Sequence, residues 1–350
     1  MNPLQVEEPL AAPRYAVGHA GTQLVDHTRN GRELLVDVWY PAAEPSAAAS
    51  TYDLFAGVSF SAHATELAVP MSEPLPVVLW SHGRTGTRTS YVLLCEGLAA
   101  QGYVVVAPDH PGDTLGDWLA GTASDDTTNE SDRVDDIGML LDHVTSEHFA
   151  TVVDGLHLDA GRVVVVGHSY GGWTAIAAAA AHGSALKGAS GLQPFSRTIP
   201  RSTLAEITLP VLLVAGSADT TTPPPADAHR AFDALGSDER HLVEIEAAGH
   251  QACSDVGLYL EMLPQVEGLP DLVHEMVGAM APDVTGTAGD PWRPVVSLHL
   301  EVLSVWLEAT LASTEGVDSP NHTYASRSLK PFAARPGVAV RSRNDGSASR

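Results

Sequence analysis

Basic residues are scarce in this chain of 350 residues, which holds 19 Lys and Arg against 43 Asp and Glu and carries a formal net charge of −24. Nucleic acid and anionic membrane surfaces both require clustered positive side chains, so neither is expected as a partner. Cysteine is scarcer still. Cys95 and Cys253 could form one bridge at most, and no Cys/His spacing resembles a structural zinc site, so two reduced thiols and no metal are expected. No uncharged apolar run reaches the roughly 18 residues that cross a bilayer. The opening "MNPLQVEEPLAAPRY" also lacks the basic-then-apolar order of an export leader, and these absences together lead to the expectation of a soluble cytoplasmic protein. No internal repeat is visible.

What is present is a hydrophobic content of 44%, enough for one large α/β domain with decorations. Short apolar runs begin at Glu33, Pro76, Tyr103, Pro210 and His241, and each is rich in residues that favour strands. Helical stretches lie between them at Tyr91 to Ala100, Val134 to Val144 and Ala226 to Leu235, and a final helix begins near Pro294. Strands alternating with helices predict a doubly wound, mostly parallel sheet, whose ligands bind outside the carboxyl ends of its strands. His82, His110, Ser169, Asp219 and His250 all fall at such ends.

The stretch "VVVVGHSYGGWTAIAAAA", residues 163–180, leaves a buried strand through glycines and enters an alanine-rich helix at once. A strand-to-helix turn this tight holds Ser169 in an unfavourable backbone conformation and needs small neighbours, supplied by Gly167 and Gly171. The spacing is that of a nucleophile elbow, with His168 in a positioning role beside the serine. A serine hydroxyl is a weak nucleophile until a base takes its proton, and the base needs a third group to fix its tautomer. His250, past the strand "HLVEIEAAG", is the base expected, and Asp219, past "VLLVAGSA", is the acid; Asp255 and Asp113 are alternative acids, and a simple turn cap is the alternative role for Asp219. A developing oxyanion needs backbone donors, expected from the N–H of Tyr170 after the nucleophile and of Arg84 in the loop after "VVLWSHG", where His82 serves positioning. The "DHPGD" run at 109–113 reads as ordinary loop, and the acid-rich 123–136 stretch as a solvated loop that favours a helix N-terminus.

The motifs "LLVDVWYPA", "PVVLWSHGRTGTRTSYVLLCEGLAAQGYVVVAPDHPGDT", "RVDDIGMLLDHV", "VVVVGHSYGGWTA", "LPVLLVAGSAD" and "AAGHQACSD" recur in one order over about residues 14 to 260. In this the chain resembles the α/β-hydrolase superfamily, and more narrowly bacterial hydrolases of the platelet-activating-factor acetylhydrolase and dienelactone hydrolase type. The resemblance implies a cofactor-free serine hydrolase acting on small-molecule esters, with Ser169, Asp219 and His250 as triad. Arg84 departs from it, standing where the oxyanion loop of such enzymes more often has a small or apolar residue. Acyl transfer or cofactor-free lyase chemistry on the same triad is a second reading, and a non-catalytic binding module a third; a binding role places no demand on all three triad positions.

The expected organisation is a catalytic domain over 1–317, followed by a tail, 318–350. The tail holds six Lys or Arg against two Asp, hence +4 where the rest of the chain is −28, and is expected to be poorly ordered or docked electrostatically on the acidic body. Between Gln251 and Pro291, Leu272, Val273, Met276, Val277 and Met280 share one helical face, which suits either ordinary core packing or a lid that walls the site.

Overall fold

The computed structural model describes residues 3–55, 57–146, 148–287, 290–312 and 329–343. The chain divides into two compact units, Met1–Val165 and Val166–Arg350.

In the first unit the principal strands are β1 (Ala16–Asp26), β2 (Arg32–Glu44), β3 (Leu75–Ser81) and β4 (Val104–Pro108), hydrogen-bonded in the order β3-β4-β2-β1. β3 and β4 run parallel, while β2 is antiparallel to both β4 and β1. β1 is absent from the sequence expectation although a signal for it exists. Asn30 and Gly31 both take positive φ, 52° and 71°, at the centre of a turn closed by the Arg32 N–H on the Arg29 carbonyl at 3.0 Å, and this turn ends the 27–31 loop between β1 and β2. Helix α1 (Val92–Gln101) lies between β3 and β4, close to its expected place, and α2 (Asp126–Thr145) starts eight residues before the expected Val134. It starts there because Asp125 caps it, its carboxylate accepting from the Thr128 N–H at 3.0 Å. β5 (Leu158–His168) carries the chain into the second unit.

In the second unit α3 (Tyr170–His182), β6 (Gly188–Leu192), β7 (Val211–Gly216), α4 (Ala228–Ala234), β8 (Arg240–Ile245), α5 (Val256–Met262), α6 (Asp271–Ala279) and α7 (Arg293–Thr310) follow in chain order. β6, β7 and β8 are parallel neighbours. β7 is buried along its whole length, as a strand covered on both faces must be. β6 has no strand-like composition: its sequence is Gly-Ala-Ser-Gly-Leu. Its small residues answer to packing, since a Cβ on Gly188 would lie 3.0 Å from the Trp306 ring of α7.

The tail requires a correction. Val338–Arg343 forms a further strand, β9, antiparallel to β8 over six residue pairs, from Arg240 opposite Arg343 to Ile245 opposite Val338. Leu329 and Phe332 are buried. Arg341 pairs with Asp233 at 3.0 Å and Arg335 with Glu301 at 2.6 Å, so the basic residues meet acidic partners on the body. These ion pairs are exposed and worth little; the backbone ladder and the two buried apolar side chains hold the segment. The rest of the tail, 318–328 and 344–350, lies outside the described residues. Burying Leu329 and Phe332 contributes about 1.5–3 kcal/mol each before the cost of ordering the chain. Truncation after Ser328 should therefore lower Tm by about 5–10 °C. Differential scanning calorimetry reads this directly, and an unchanged Tm would show that β9 adds nothing.

Candidate functional site

Ser169 sits between β5 and α3 with φ 55° and ψ −116°, a conformation that costs a non-glycine residue about 1–3 kcal/mol. Its backbone is tied down on both sides: its N–H donates to the Leu192 carbonyl at 3.0 Å, and its carbonyl accepts from Phe195 N–H at 2.9 Å and Trp173 N–H at 3.1 Å. The sequence argument places the need for small residues at Gly167 and Gly171. The structure shows a further one at Gly172, where an added Cβ would lie 2.9 Å from Pro194 and 3.3 Å from the Gly167 carbonyl. Strain at the serine is thus held by packing of the 193–195 turn against the first turn of α3.

The acid and the base reach the serine on adjoining turns. Asp219 follows β7 and His250 follows β8, and the two turns are joined by the Ala218 N–H, which donates to the Ala248 carbonyl at 3.0 Å. That approach demands Gly216, whose Cβ would otherwise sit 2.2 Å from the Ala248 oxygen. His250 Nε2 lies 2.9 Å from Ser169 Oγ, and His250 Nδ1 lies 2.9 Å from Asp219 Oδ2. Asp255 and Asp113, the alternative acids, do not hold this position; Asp113 instead pairs with Arg133 at 2.8 Å.

Asp219 is nearly buried. Burial acts to raise its pKa, yet the carboxyl is held below the usual range because His250 and Thr222 favour the charged form. Thr222 Oγ1 lies 2.6 Å from Asp219 Oδ2, while the N–H groups of Thr221 and Thr222 donate to Oδ1 at 2.9 and 2.8 Å. The same Thr222 hydroxyl is 2.9 Å from the Gln193 carbonyl and 3.2 Å from His250 Nδ1. Thr222 is absent from the sequence expectation, although its place three residues after the acid is a common one for a hydroxyl that closes a turn on a carboxylate.

His168, expected in a positioning role, is buried against the His250 turn. Its Nε2 N–H donates to the His250 carbonyl at 2.7 Å, and burial, with the neighbouring His250, pushes its pKa down to about 3. A second buried histidine, His299 on α7, is absent from the sequence expectation: its Nδ1 N–H donates to the Val295 carbonyl at 2.8 Å, and Nε2 accepts from Gln193 Nε2 at 2.9 Å. Gln193 itself has φ 40°, and its N–H donates to the Val214 carbonyl at 2.7 Å.

Tyr170, whose N–H is an expected oxyanion donor, opens α3, and its ring stacks on Trp173 at 5.8 Å and meets Phe195 at the same distance. Arg84, the other expected donor, belongs to the first unit, where its side chain pairs with Asp126 at 2.6 Å.

In the Gln251–Pro291 segment, the expected apolar face on α6 is not core. Met276 is 59% exposed, Val273, Val277 and Met280 are half-buried, and the Leu272 side chain lies outside the described residues. The segment returns to the site at its far end: Gly249 N–H donates to the Val284 carbonyl at 3.1 Å and Gln251 N–H to the Asp283 carbonyl at 2.6 Å, so the His250 turn is braced from this side. The 109–113 run is loop, with Asp109 paired to Arg88, and among the described residues no group of His, Cys, Asp or Glu could hold a metal ion. Nor is any helix among them long and apolar enough to cross a membrane.

A family model described as PETase, PET hydrolase-like, matches residues 70–261, more than half of the chain. Cutinase est1 of Thermobifida alba is 27% identical over 174 residues, covering 49% of this chain and 52% of its own length. Cutinase 1 of Thermobifida cellulosilytica is 28% identical over 174 residues, covering 49% and 59%. The chain thus matches a little over half the length of these curated relatives. Among solved structures, a ferulic acid esterase from Streptomyces cinnamoneus superposes with a TM-score of 0.68 at 23% identity, over 96% of this chain and 99% of that one. The shared fold is that of the α/β hydrolases, a mixed sheet with helices on both faces.

Proposed function

Since the chain belongs to the PET hydrolase-like family, we propose that it is a serine hydrolase of carboxylic esters with small to medium acyl groups. The observation that carries this is the unbroken relay from Ser169 Oγ through the His250 ring to Asp219 Oδ2, with the serine held at positive φ. Relatives named as cutinases and a fold neighbour named as a ferulic acid esterase support ester chemistry.

In the proposed reaction His250 Nδ1 donates its N–H to Asp219, which leaves Nε2 as the acceptor for the Ser169 proton. Oγ attacks the ester carbonyl, and His250, now protonated, gives its proton to the departing alcohol. Water then repeats the sequence on the acyl-enzyme and returns the serine. The Tyr170 N–H at the start of α3 and the Arg84 N–H are the proposed oxyanion donors, with the N-terminal end of α3 favouring negative charge. We also propose a cytoplasmic location, on the scarcity of cysteine, and the narrower likeness to platelet-activating-factor acetylhydrolases and dienelactone hydrolases, on the sequence motifs.

A fluorophosphonate should label the wild-type protein at Ser169 and leave Ser169→Ala unlabelled. In a p-nitrophenyl series from acetate to palmitate, kcat/KM should peak at short or medium chains. A steady rise to palmitate, or a jump in rate on lipid vesicles, would overturn the substrate assignment, and absence of labelling would overturn the nucleophile.

A further inference from the structure

The first unit contains a buried polar cluster that the reaction above does not use, built on the inner face of α2. Arg133 is fully buried. Its Nε donates to Asp113 Oδ2 at 2.9 Å, its Nη1 to the His82 carbonyl at 2.8 Å and to Ser81 Oγ at 3.3 Å, and its Nη2 to the Gly83 carbonyl at 3.4 Å. One planar guanidinium therefore spans two consecutive carbonyls at the end of β3, a geometry that an ammonium could not reproduce. One turn further along α2, Asp136 accepts from His110 Nδ1 at 2.9 Å and from Arg32 Nε at 2.8 Å. His110 in turn meets Ser81 Oγ at 2.9 Å, which closes the cluster.

His82 completes the cradle. Its Nδ1 N–H donates to the Gly83 carbonyl at 2.7 Å while Nε2 accepts the His110 N–H at 3.0 Å, which fixes both tautomer and ring orientation. The Gly83 carbonyl thus takes three donors: His82 Nδ1, Arg133 Nη2 and, at 3.0 Å, the Gly86 N–H. In a trans peptide the carbonyl and the following N–H point in opposite directions. Pinning the Gly83 oxygen toward the cluster therefore fixes the direction of the Arg84 N–H, away from it. The next residue, Thr85, is held at φ 57° with its N–H on the Asp113 carbonyl at 3.1 Å, so the peptide cannot swing from the other side.

We propose that Arg133 and His82 are positioning residues for ester hydrolysis, which act by setting the plane of the 83–84 peptide and so aiming the Arg84 N–H as an oxyanion donor. This rests on the esterase reading and on the donor assignment of Arg84. The cluster explains why a charged side chain is tolerated at position 84: the donor is the backbone, and the backbone is set from below. It also accounts for a fully buried arginine on a helix whose sequence reads as solvated, since a buried guanidinium is maintained only when its donors are used.

The test uses the full chain and the ratio of rates on an ester and on the matching thionoester. Sulfur is a poor acceptor, so the ratio reports hydrogen bonding to the oxyanion and is insensitive to how much folded enzyme is present. Arg133→Met alone would strand the Asp113 carboxylate, so it is paired with Asp113→Asn. This double variant should lose about 10²- to 10³-fold in kcat on the ester with KM changed less than about threefold, and the ester-to-thionoester ratio should collapse. His82→Ala should behave alike, whereas His82→Asn, which retains a donor near the Nδ1 position, should recover most of the ratio. Variants with wild-type near-UV circular dichroism and an unchanged ratio would overturn the positioning role. A wild-type protein that hydrolyses neither substrate would overturn the esterase reading beneath it.

Discussion

Ser169→Ala should lower kcat on a soluble p-nitrophenyl ester by about 10⁴- to 10⁶-fold, with Tm within a few degrees of wild type or above it. Loss of the hydroxyl removes the proposed nucleophile, Ser169 Oγ, which lies 2.9 Å from His250 Nε2. Alanine keeps the Cβ, and with it the same strain at positive φ, so the substitution leaves the backbone where it is and gives no reason for the fold to suffer. His250→Ala should cost a similar factor, and the double variant should be no more than a few-fold worse than either single, because both residues act on one proton transfer. Asp219→Asn should cost about 10⁴-fold for a different reason. An amide N–H facing Nδ1 forces the proton onto Nε2, which then points a donor at the serine and cannot take its proton. Stopped-flow measurement of the acyl-enzyme burst checks all three. Losses that multiply in the Ser169/His250 double variant would mean that the two residues act on separate steps.

The proposed triad was legible because each member stands at the end of a strand whose composition announces it. Four consecutive valines precede Ser169, "VLLVAG" precedes Asp219, and "LVEI" precedes His250. Chain order alone then separates Asp219 from its competitors. What surrounds the triad was less legible, because it depends on contacts between distant segments. β6 lacks β-branched residues because Trp306 and Pro194 pack closely on its glycines, so no composition rule could identify it. Thr222 and Gln193 acquire meaning only when the 193 and 219–222 turns meet. The acid-rich start of α2 reads as solvated, and its charge is largely exposed, yet Arg133 and Asp136 face inward and hold the β3 loop. A periodicity argument marks Ile137 and Leu141 as the buried face and has no means of adding two charged residues to it. The tail misled for the opposite reason. Its basic, Ser/Gly-rich composition is that of a disordered segment, but an edge strand needs only backbone groups to pair, and β8 had an edge to offer.

The buried histidines predict an acid limit to stability. His168, His241 and His299 are all buried, and burial holds their pKa values down to about 3, 4 and 4 respectively. In the unfolded chain each would take up a proton near pH 6.5. Between about pH 7 and the folded values the unfolded state therefore binds more protons, so stability rises with pH across this window and is lost as pH falls through it. At pH 5 each such histidine costs about 2 kcal/mol, or several kcal/mol for the three, a large share of the 5–15 kcal/mol that a domain holds. Asp136 and Asp219, whose pKa values are lowered against the pull of burial by their paired partners, add to the loss at more acid pH. Glu96, Asp109 and Asp113 oppose it, because burial raises their pKa values and lets the folded state take protons first, but as carboxylates they do so mainly toward the acid end. The histidines thus govern the range from pH 7 to 5. The urea midpoint, followed by tryptophan fluorescence, should fall steadily from pH 7.5 to 5. His241→Leu should flatten the slope by about one proton, because His241 contacts only Ser342 through Nδ1 and its Nε2 has no partner among the described residues. A midpoint that stays level down to pH 5 would mean that these histidines find charge partners or water on protonation, and that the interior around them opens more easily than its packing implies.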